Sequence, residues 1–448
     1  MELFGSSGVR GTVGEAMTPS LVLRVARAAG TVWDGDRAAV ARDTRTSGEL
    51  FADAAASGLA SVGVDVDRLG VVPTPGVAAH CEREGVPAIV VTASHNPADY
   101  NGVKLVDDAG VELTVAELER VERHVFDAPV AEAAWDGVGA VDRVDGANRR
   151  YVDDLLAAVD RDRVADAELT VALDPGNGAG ALTSPAFLRE LGCEVVTVNA
   201  DPDGHFPGRQ PEPVPAELGD LRRLVRATDA DLGVAHDGDA DRAVFVDETG
   251  ESVPAESSLA ALAAAALDEG DAFVTAVNVS QRVVDVVDAA DARLELTPIG
   301  ATNLVTRIRE LRGEGVSVPV AGEGNGGVFY PEQRLARDGA LAAARFLELV
   351  AERPASAVVE PFRDYHAVRR NLAYEDDDER EALLSAAAAY AEAAEADLDT
   401  TDGYRMDFGD AWVLVRPSGT EPKVRVYAEA RDPERAARLA DEVAEALR

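Results

Sequence analysis

Lysine is almost missing from this chain of 448 residues: Lys104 and Lys423 are its only two, and arginine supplies nearly all of the positive charge. Basic residues number 43 against 82 acidic ones, a formal net charge of −39. That charge repels phosphate backbones and anionic lipid at long range, which argues against nucleic acid or a membrane surface as a partner. An acidic, alanine-rich, lysine-poor surface stays hydrated where salt screens its self-repulsion, so a halophilic setting is predicted. Cysteine is equally scarce. Cys81 and Cys193 sit in separate apolar stretches with no metal-like or redox-like spacing, and both are expected to be buried thiols. No run of 18 apolar residues occurs, and the segment MELFGSSGVRG lacks a basic stretch leading into an apolar one, so the reading is a cytoplasmic protein.

What is present is enough apolar sequence, 46% of residues, for several cores, and the length implies several domains. Residues 1–150 alternate amphipathic helical patterns with short apolar runs, as parallel α/β units do. Thr18-Pro19 reads as a helix N-cap and first turn, and Ser47 as the cap of the next helix. The runs AAVAR, LGVVPT and AIVVTAS read as buried strands. The pattern restarts near Tyr151, where LTVALDPGNGAG, CEVVTVNAD and DLGVAHDGDADR each lead from strand into polar loop. It restarts again after Val253 with FVTAVNVS, RLELTPIGATN and VPVAGEGNGG. The last stretch mixes two strongly helical segments with four strand candidates, HAVRRNL, YRMDF, AWVLVR and KVRVYAEA. The fold expected is therefore α/β: three similar α/β domains at 1–150, 151–253 and 254–360, followed by an α+β domain at 361–448. Ligands in such sheets bind beyond the carboxyl ends of the strands, where the polar loops lie.

Four of those loops carry the chemistry. Thr92-Ala93-Ser94-His95-Asn96-Pro97 follows a β-branched strand and is closed by proline, which predicts Ser94 exposed on a fixed turn. Alone, it is more often the pattern of a hydrogen-bonded turn. Serine is a weak nucleophile, but a serine that already carries phosphate is a phosphoryl donor that needs only alignment and charge neutralisation. Asp237-Gly238-Asp239-Ala240-Asp241-Arg242 sets three carboxylates at alternate positions between small residues, a hard-oxygen set suited to Mg²⁺. An EF-hand loop is excluded: Glu248 stands at the twelfth position, but the sixth is Arg242 rather than glycine, and the following residues read as a strand. Arg416-Pro417-Ser418-Gly419-Thr420 offers a guanidinium, two hydroxyls and turn amides to a phosphate, or forms an ordinary Ser-Gly turn. Gly322-Glu323-Gly324-Asn325-Gly326-Gly327 places a carboxylate and an amide on a flexible loop and does not fit the dinucleotide pattern.

These four motifs, TASHNP, DGDADR, GEGNGG and RPSGTEP, follow the order and rough spacing of the α-D-phosphohexomutase family, which the chain resembles over essentially its whole length, most of all its archaeal phosphoglucosamine mutase-like members. The resemblance implies four domains around a central cleft and interconversion of a hexose 1-phosphate and 6-phosphate through a phosphoserine and a sugar bisphosphate intermediate. It implies Ser94 as the phosphoserine, with Asp237, Asp239, Asp241 and a phosphate oxygen on Ser94 holding Mg²⁺. Glu323 and Asn325 would contact sugar hydroxyls, and Arg416, Ser418, Gly419 and Thr420 the phosphate that is not reacting. Arg10 in SSGVRG, His95, Lys104 in NGVK and Arg242 are expected around the reacting phosphate.

One departure stands out. Many members end the sugar loop with Ser-Gly-His, whereas glycine, Gly327, occupies the histidine position here. The glycine-rich variant resembles that of archaeal relatives and favours the amino sugar; glucose and mannose phosphates are the alternatives. Lys104, kept where nearly all lysine is arginine, is read as a residue needed for its ability to lose a proton. A non-catalytic sugar-phosphate sensor and a metal-dependent phosphatase are the readings from other classes. The chain is expected as a monomer or homodimer.

Overall fold

The structure is a computed structural model that describes residues 3–4, 8–418 and 422–448. Three of its sheets repeat one topology. In the first, Arg37–Arg42 pairs in parallel with Asp65–Val71 on one side and Ala88–Val91 on the other, and Tyr100–Val106 returns antiparallel beside Ala88–Val91. In the second, Thr170–Asp174, Glu194–Thr197, Leu232–His236 and Ala243–Asp247 occupy the same four places. In the third they are Ala272–Ala276, Arg293–Thr297, Ala321–Glu323 and Gly327–Tyr330. The sequence suggested parallel units. The antiparallel fourth strand has a simple cause: the loop joining it to the third is too short for a crossover, which takes a dozen or more residues. That short loop is TASHNP in the first unit, DGDADR in the second and Gly324-Asn325-Gly326 in the third, so all three motifs emerge from the same point of the repeated plan.

Helices cover both faces, which is why Ala88–Val91 and Leu232–His236 are buried at every position. Thr18 caps Pro19–Val32 by accepting from the Leu21 amide, as its sequence suggests. Ser47 does not cap Gly48–Ser61; its backbone is already helical, and its hydroxyl instead accepts from Asn101 Nδ2 across the sheet. The second and third units share one continuous core, in which Phe245 stacks on Phe346 with ring centroids 4.3 Å apart. Cys81 and Cys193 are free and buried.

The fourth unit is an antiparallel sheet of His366–Ala373, Lys423–Ala430, Ala411–Pro417, Tyr404–Asp407 and Asp397–Asp399, backed by Asp377–Ala393 and Pro433–Ala446 around its own core. The sequence reading missed its edge strand, Asp397–Asp399, a three-residue piece without an apolar run. Among the described residues no helix is long and apolar enough to cross a membrane.

Candidate active site

Ser94 is not exposed, as its turn suggested, but fully buried. The second unit does this: its aspartate loop lies directly on the serine loop, so close that a Cβ on Gly238 would come 2.6 Å from the Ser94 carbonyl oxygen. Only glycine permits that approach. The Ser94 backbone is left-handed, φ 51°, a costly conformation for a side-chain-bearing residue that surrounding bonds must maintain. Those bonds come from residues that sequence reasoning passed over. The Ser94 amide donates to Thr92 Oγ1 (2.8 Å), whose hydroxyl donates to Asp43 Oδ2 (2.7 Å). Asp43 pairs with buried Arg45 (3.0 Å), and the Arg45 guanidinium donates to the carbonyls of Ser94, Asn96, Pro97 and Tyr100 at 2.9, 2.6, 2.5 and 2.8 Å. One arginine thus satisfies four carbonyls in and just after the loop. Arg209 does the same for the second unit, reaching Asp174 Oδ2 (2.8 Å) and the His236 carbonyl (2.6 Å) just before the aspartates.

Here Ser94 Oγ donates to Asp237 Oδ2 at 2.7 Å, with His95 Nδ1 at 3.4 Å from the same hydroxyl. Asp237, Asp239 and Asp241 are all buried and offer ligand oxygens within 4.8 Å of one another. Asp239 Oδ2 accepts from Thr74 Oγ1 (2.6 Å) and Lys104 Nζ (3.1 Å); Asp241 Oδ2 accepts from Lys104 Nζ (2.9 Å) and Arg337 (2.6 Å). The other oxygens, Asp239 Oδ1 and Asp241 Oδ1, are buried without a hydrogen bond, as is Arg242 Nε, which faces Asp241 Oδ1 only at 3.8 Å. A buried carboxylate oxygen left bare is costly, and a hard divalent cation among three such groups would satisfy it. The donor set therefore fits Mg²⁺.

Electrostatics divide the three carboxylates. Burial, then repulsion from Asp241 and Asp239, pushes Asp237 up to about 8. Burial acts on Asp241 too, but Arg337, Lys104 and Arg242 hold it well below the usual carboxylate range, and Asp239 is lowered likewise by Lys104, Thr74 and Arg10. Lys104, expected to lose a proton beside a metal, is held the other way while no metal is bound. Burial would lower its pKa, but Asp239, Asp241 and Glu112 outweigh that and raise it, so the ammonium keeps its proton in this arrangement. His95 moves the other way: burial, with Arg242 and Arg10 nearby, lowers it to about 2 and leaves the ring neutral. Arg10 completes this side, donating to Asn96 Oδ1 at 3.4 Å.

The sugar-loop residues adjoin the aspartates. Glu323 is buried 3.7 Å from Arg337, and Asn325 Oδ1 accepts from the Gly327 amide at 3.0 Å. Asn325, Gly324, Arg242 and Glu256 share a cavity of about 480 Å³, within the range that holds a small ligand. Arg416 lies in the fourth unit, paired with Asp402 at 3.1 Å, its Nε buried and bare. The Ser418 amide donates to the Lys423 carbonyl at 2.8 Å, while Gly419 and Thr420 lie outside the described residues.

Comparison with known proteins agrees with this layout along the whole chain. Residues 1–130, 149–250 and 255–365 match phosphoglucomutase/phosphomannomutase alpha/beta/alpha domains I, II and III, and residues 371–446 match the C-terminal domain. A protein of Methanopyrus kandleri named "probable phosphoglucosamine mutase" is 41% identical over 99% of this chain and 97% of its own length. A phosphoglucomutase/phosphomannomutase of Thermococcus kodakarensis is 38% identical over 97% and 96%. The crystal structure of a phosphoglucomutase/phosphomannomutase family protein from Burkholderia thailandensis superposes with a TM-score of 0.86 at 29% identity, covering 99% of this chain and 96% of that one. Since the match runs through all four domains in order and spans relative and chain alike, this protein belongs to the phosphoglucomutase/phosphomannomutase family and is a phosphohexomutase.

Proposed function

We propose that the chain interconverts glucosamine 6-phosphate and glucosamine 1-phosphate through a phosphorylated Ser94. The observation that carries the mechanism is Ser94 Oγ held 2.7 Å from Asp237 inside a buried three-carboxylate cluster with bare oxygens. The amino sugar is favoured by the relative at 41% identity, named for that substrate, and by the glycine-rich sugar loop.

In this reading the P–O bond to Ser94 breaks as one forms to the free hydroxyl of the bound sugar phosphate, giving a bisphosphate. The sugar's other phosphate then returns to Ser94. Asp237, Asp239 and Asp241, with the phosphorylated Ser94, would hold Mg²⁺, which when bound supplies positive charge to the phosphoryl oxygens. Lys104, Arg242 and Arg10 are permanent cations around the same oxygens. The proton of the attacking hydroxyl ends on the leaving Ser94 oxygen and comes back in the second transfer, so the isomerisation consumes none; His95, held neutral 3.4 Å from Ser94 Oγ, lines that path. Glu323 and Asn325 orient the sugar ring. Arg416, Ser418, Gly419 and Thr420 grip the phosphate that is not reacting, and the fourth domain opens while the intermediate reorients. The setting we propose is a halophilic cytoplasm.

The deciding experiment compares kcat/KM for the 1-phosphates of glucosamine, glucose and mannose, with Mg²⁺ and a trace of bisphosphate. The highest value for glucosamine is expected; a higher one for glucose or mannose would move the assignment to phosphoglucomutase/phosphomannomutase. Release of free phosphate without isomerisation would mark a phosphatase, and binding without turnover a sensor.

A further inference from the structure

Gly327 leaves a space in the sugar loop, and Arg337 fills it. A Cβ built on Gly327 would lie 2.7 Å from Arg337 Cδ, the middle of the side chain rather than its free end. Arg337 ends the strand Arg334–Arg337, which runs beside Gly327–Tyr330 with Phe329 opposite Arg337, so its side chain passes over the glycine toward the aspartates. It is buried. Its guanidinium donates to Asp241 Oδ2 at 2.6 Å and lies 3.7 Å from Glu323 and 3.9 Å from Glu112. Those carboxylates belong to the second, third and first units, so one planar cation ties together the aspartate loop, the sugar loop and the strand return behind Lys104. Because the bond to Asp241 uses Oδ2, the oxygen of that residue left without a hydrogen bond is Oδ1.

We infer that Arg337 is a positioning residue for the mutase reaction, setting the sugar loop against the aspartate loop through Asp241 and Glu323 in the space that a side chain at position 327 would take. The inference rests on the mutase reading above. Two nitrogens of one rigid fork engage two loops, a task that a lysine ammonium, a single point of charge, does not reproduce.

The test is a double-mutant cycle. Gly327 has no positive φ, so alanine there meets no backbone strain, and its effect must come through what its Cβ touches. Gly327→Ala is expected to lower kcat/KM about tenfold or more in the parent and by several-fold less in an Arg337→Ala background, where only the tight approach of its Cβ to Asn325 Oδ1, 3.1 Å, remains. Arg337→Lys should remain well below the parent. As a readout without turnover, Arg337→Ala placed in a Ser94→Ala protein should weaken calorimetric binding of glucosamine 6-phosphate, while melting stays cooperative. Equal losses from Gly327→Ala in both backgrounds, or full recovery with lysine, would overturn the inference. If the parent itself fails to isomerise any hexose phosphate, the mutase reading has failed instead.

Discussion

The two regions proposed to hold phosphate, around Ser94 and around Arg416, are built in opposite ways. At Ser94, loops from two units interlock, their backbones are braced by buried Arg45 and Arg209, and the atoms left bare are those a reacting group would meet. At Arg416 the hairpin belongs to a unit with a separate core. That unit meets the third across a small apolar cluster, Val277 against Trp412 and Leu414, and through directed bonds: Arg405 to the carbonyls of Val277 (2.5 Å) and Val279 (3.1 Å), Ser280 Oγ (3.0 Å) and the Gln281 amide (2.7 Å) to Glu429, and the Ile299 amide to Asp402 (3.1 Å). The contrast follows from the work each does. Phosphoryl transfer depends on alignment within a fraction of an ångström, so the reacting end is fixed beforehand. In the proposed reaction the far end accepts either phosphate of a reorienting intermediate, and a unit whose main core is its own, joined to the third by one small apolar cluster, can move as a body.

Ser94→Ala is the severest way to break the reacting end. Turnover should fall by more than about a hundredfold, since among the described residues no other hydroxyl is held against Asp237, and mass spectrometry of active parent should find phosphate on Ser94. The fold should survive, because only one hydroxyl is lost from a loop whose carbonyls Arg45 still holds. Activity retained above about a hundredth would remove Ser94 from the relay.

Arg45→Met separates the brace from the chemistry. It strands Asp43 as an unpaired buried charge and frees four loop carbonyls, a change that should cost about 3–5 kcal/mol. Denaturant unfolding would read that loss, and turnover should fall with it as the left-handed Ser94 relaxes. A stability change under about 1 kcal/mol would mean that the loop holds itself, as an exposed turn would.

That pair of variants also marks what the sequence could disclose. TASHNP and DGDADR are local patterns, and the chemistry each carries is readable because its residues lie within a few positions. The burial of Ser94 was not readable, since it depends on Gly238, 144 positions away, meeting its carbonyl. Arg45 left only the faint sign of Asp43-Thr44-Arg45 after a strand. Arg337 left none, for its partners lie on three units. The rarity of Lys104 argued for a labile proton beside a metal, but composition does not disclose that, without the metal, three carboxylates around it hold that proton. The four-unit plan was legible because strand-then-loop runs recur three times, but strand direction was hidden in loop length.

Arg416→Ala tests the loosely held end and should act more gently, raising KM about tenfold or more and lowering kcat by less, because binding energy at the far phosphate also orients the near one. Arg416→Lys should recover only part, having lost the planar fork. Unchanged kinetics in Arg416→Ala would take the fourth unit out of the reaction.

The smallest expected effect is a single proton. Asp237 is held up to about 8 in the folded, metal-free site, against an ordinary carboxylate value near 4 when unfolded. Between those values the folded state keeps a proton that the unfolded chain has released, so this group's contribution to stability falls as pH rises from about 4 through 8. A divalent cation needs the carboxylate, so its uptake near pH 6.5 should expel about one proton, and near pH 9.5 almost none. Calorimetric titration of Mg²⁺ in buffers of different ionisation enthalpy would count it, at high monovalent salt so that diffuse binding to the acidic surface is screened. Asp237→Asn should abolish the release, whereas Arg416→Ala, in the other region, should leave it unchanged. Release that persists undiminished at pH 9.5 would assign the proton to some other group and deprive Asp237 of its place as the carboxylate pushed up by its neighbours.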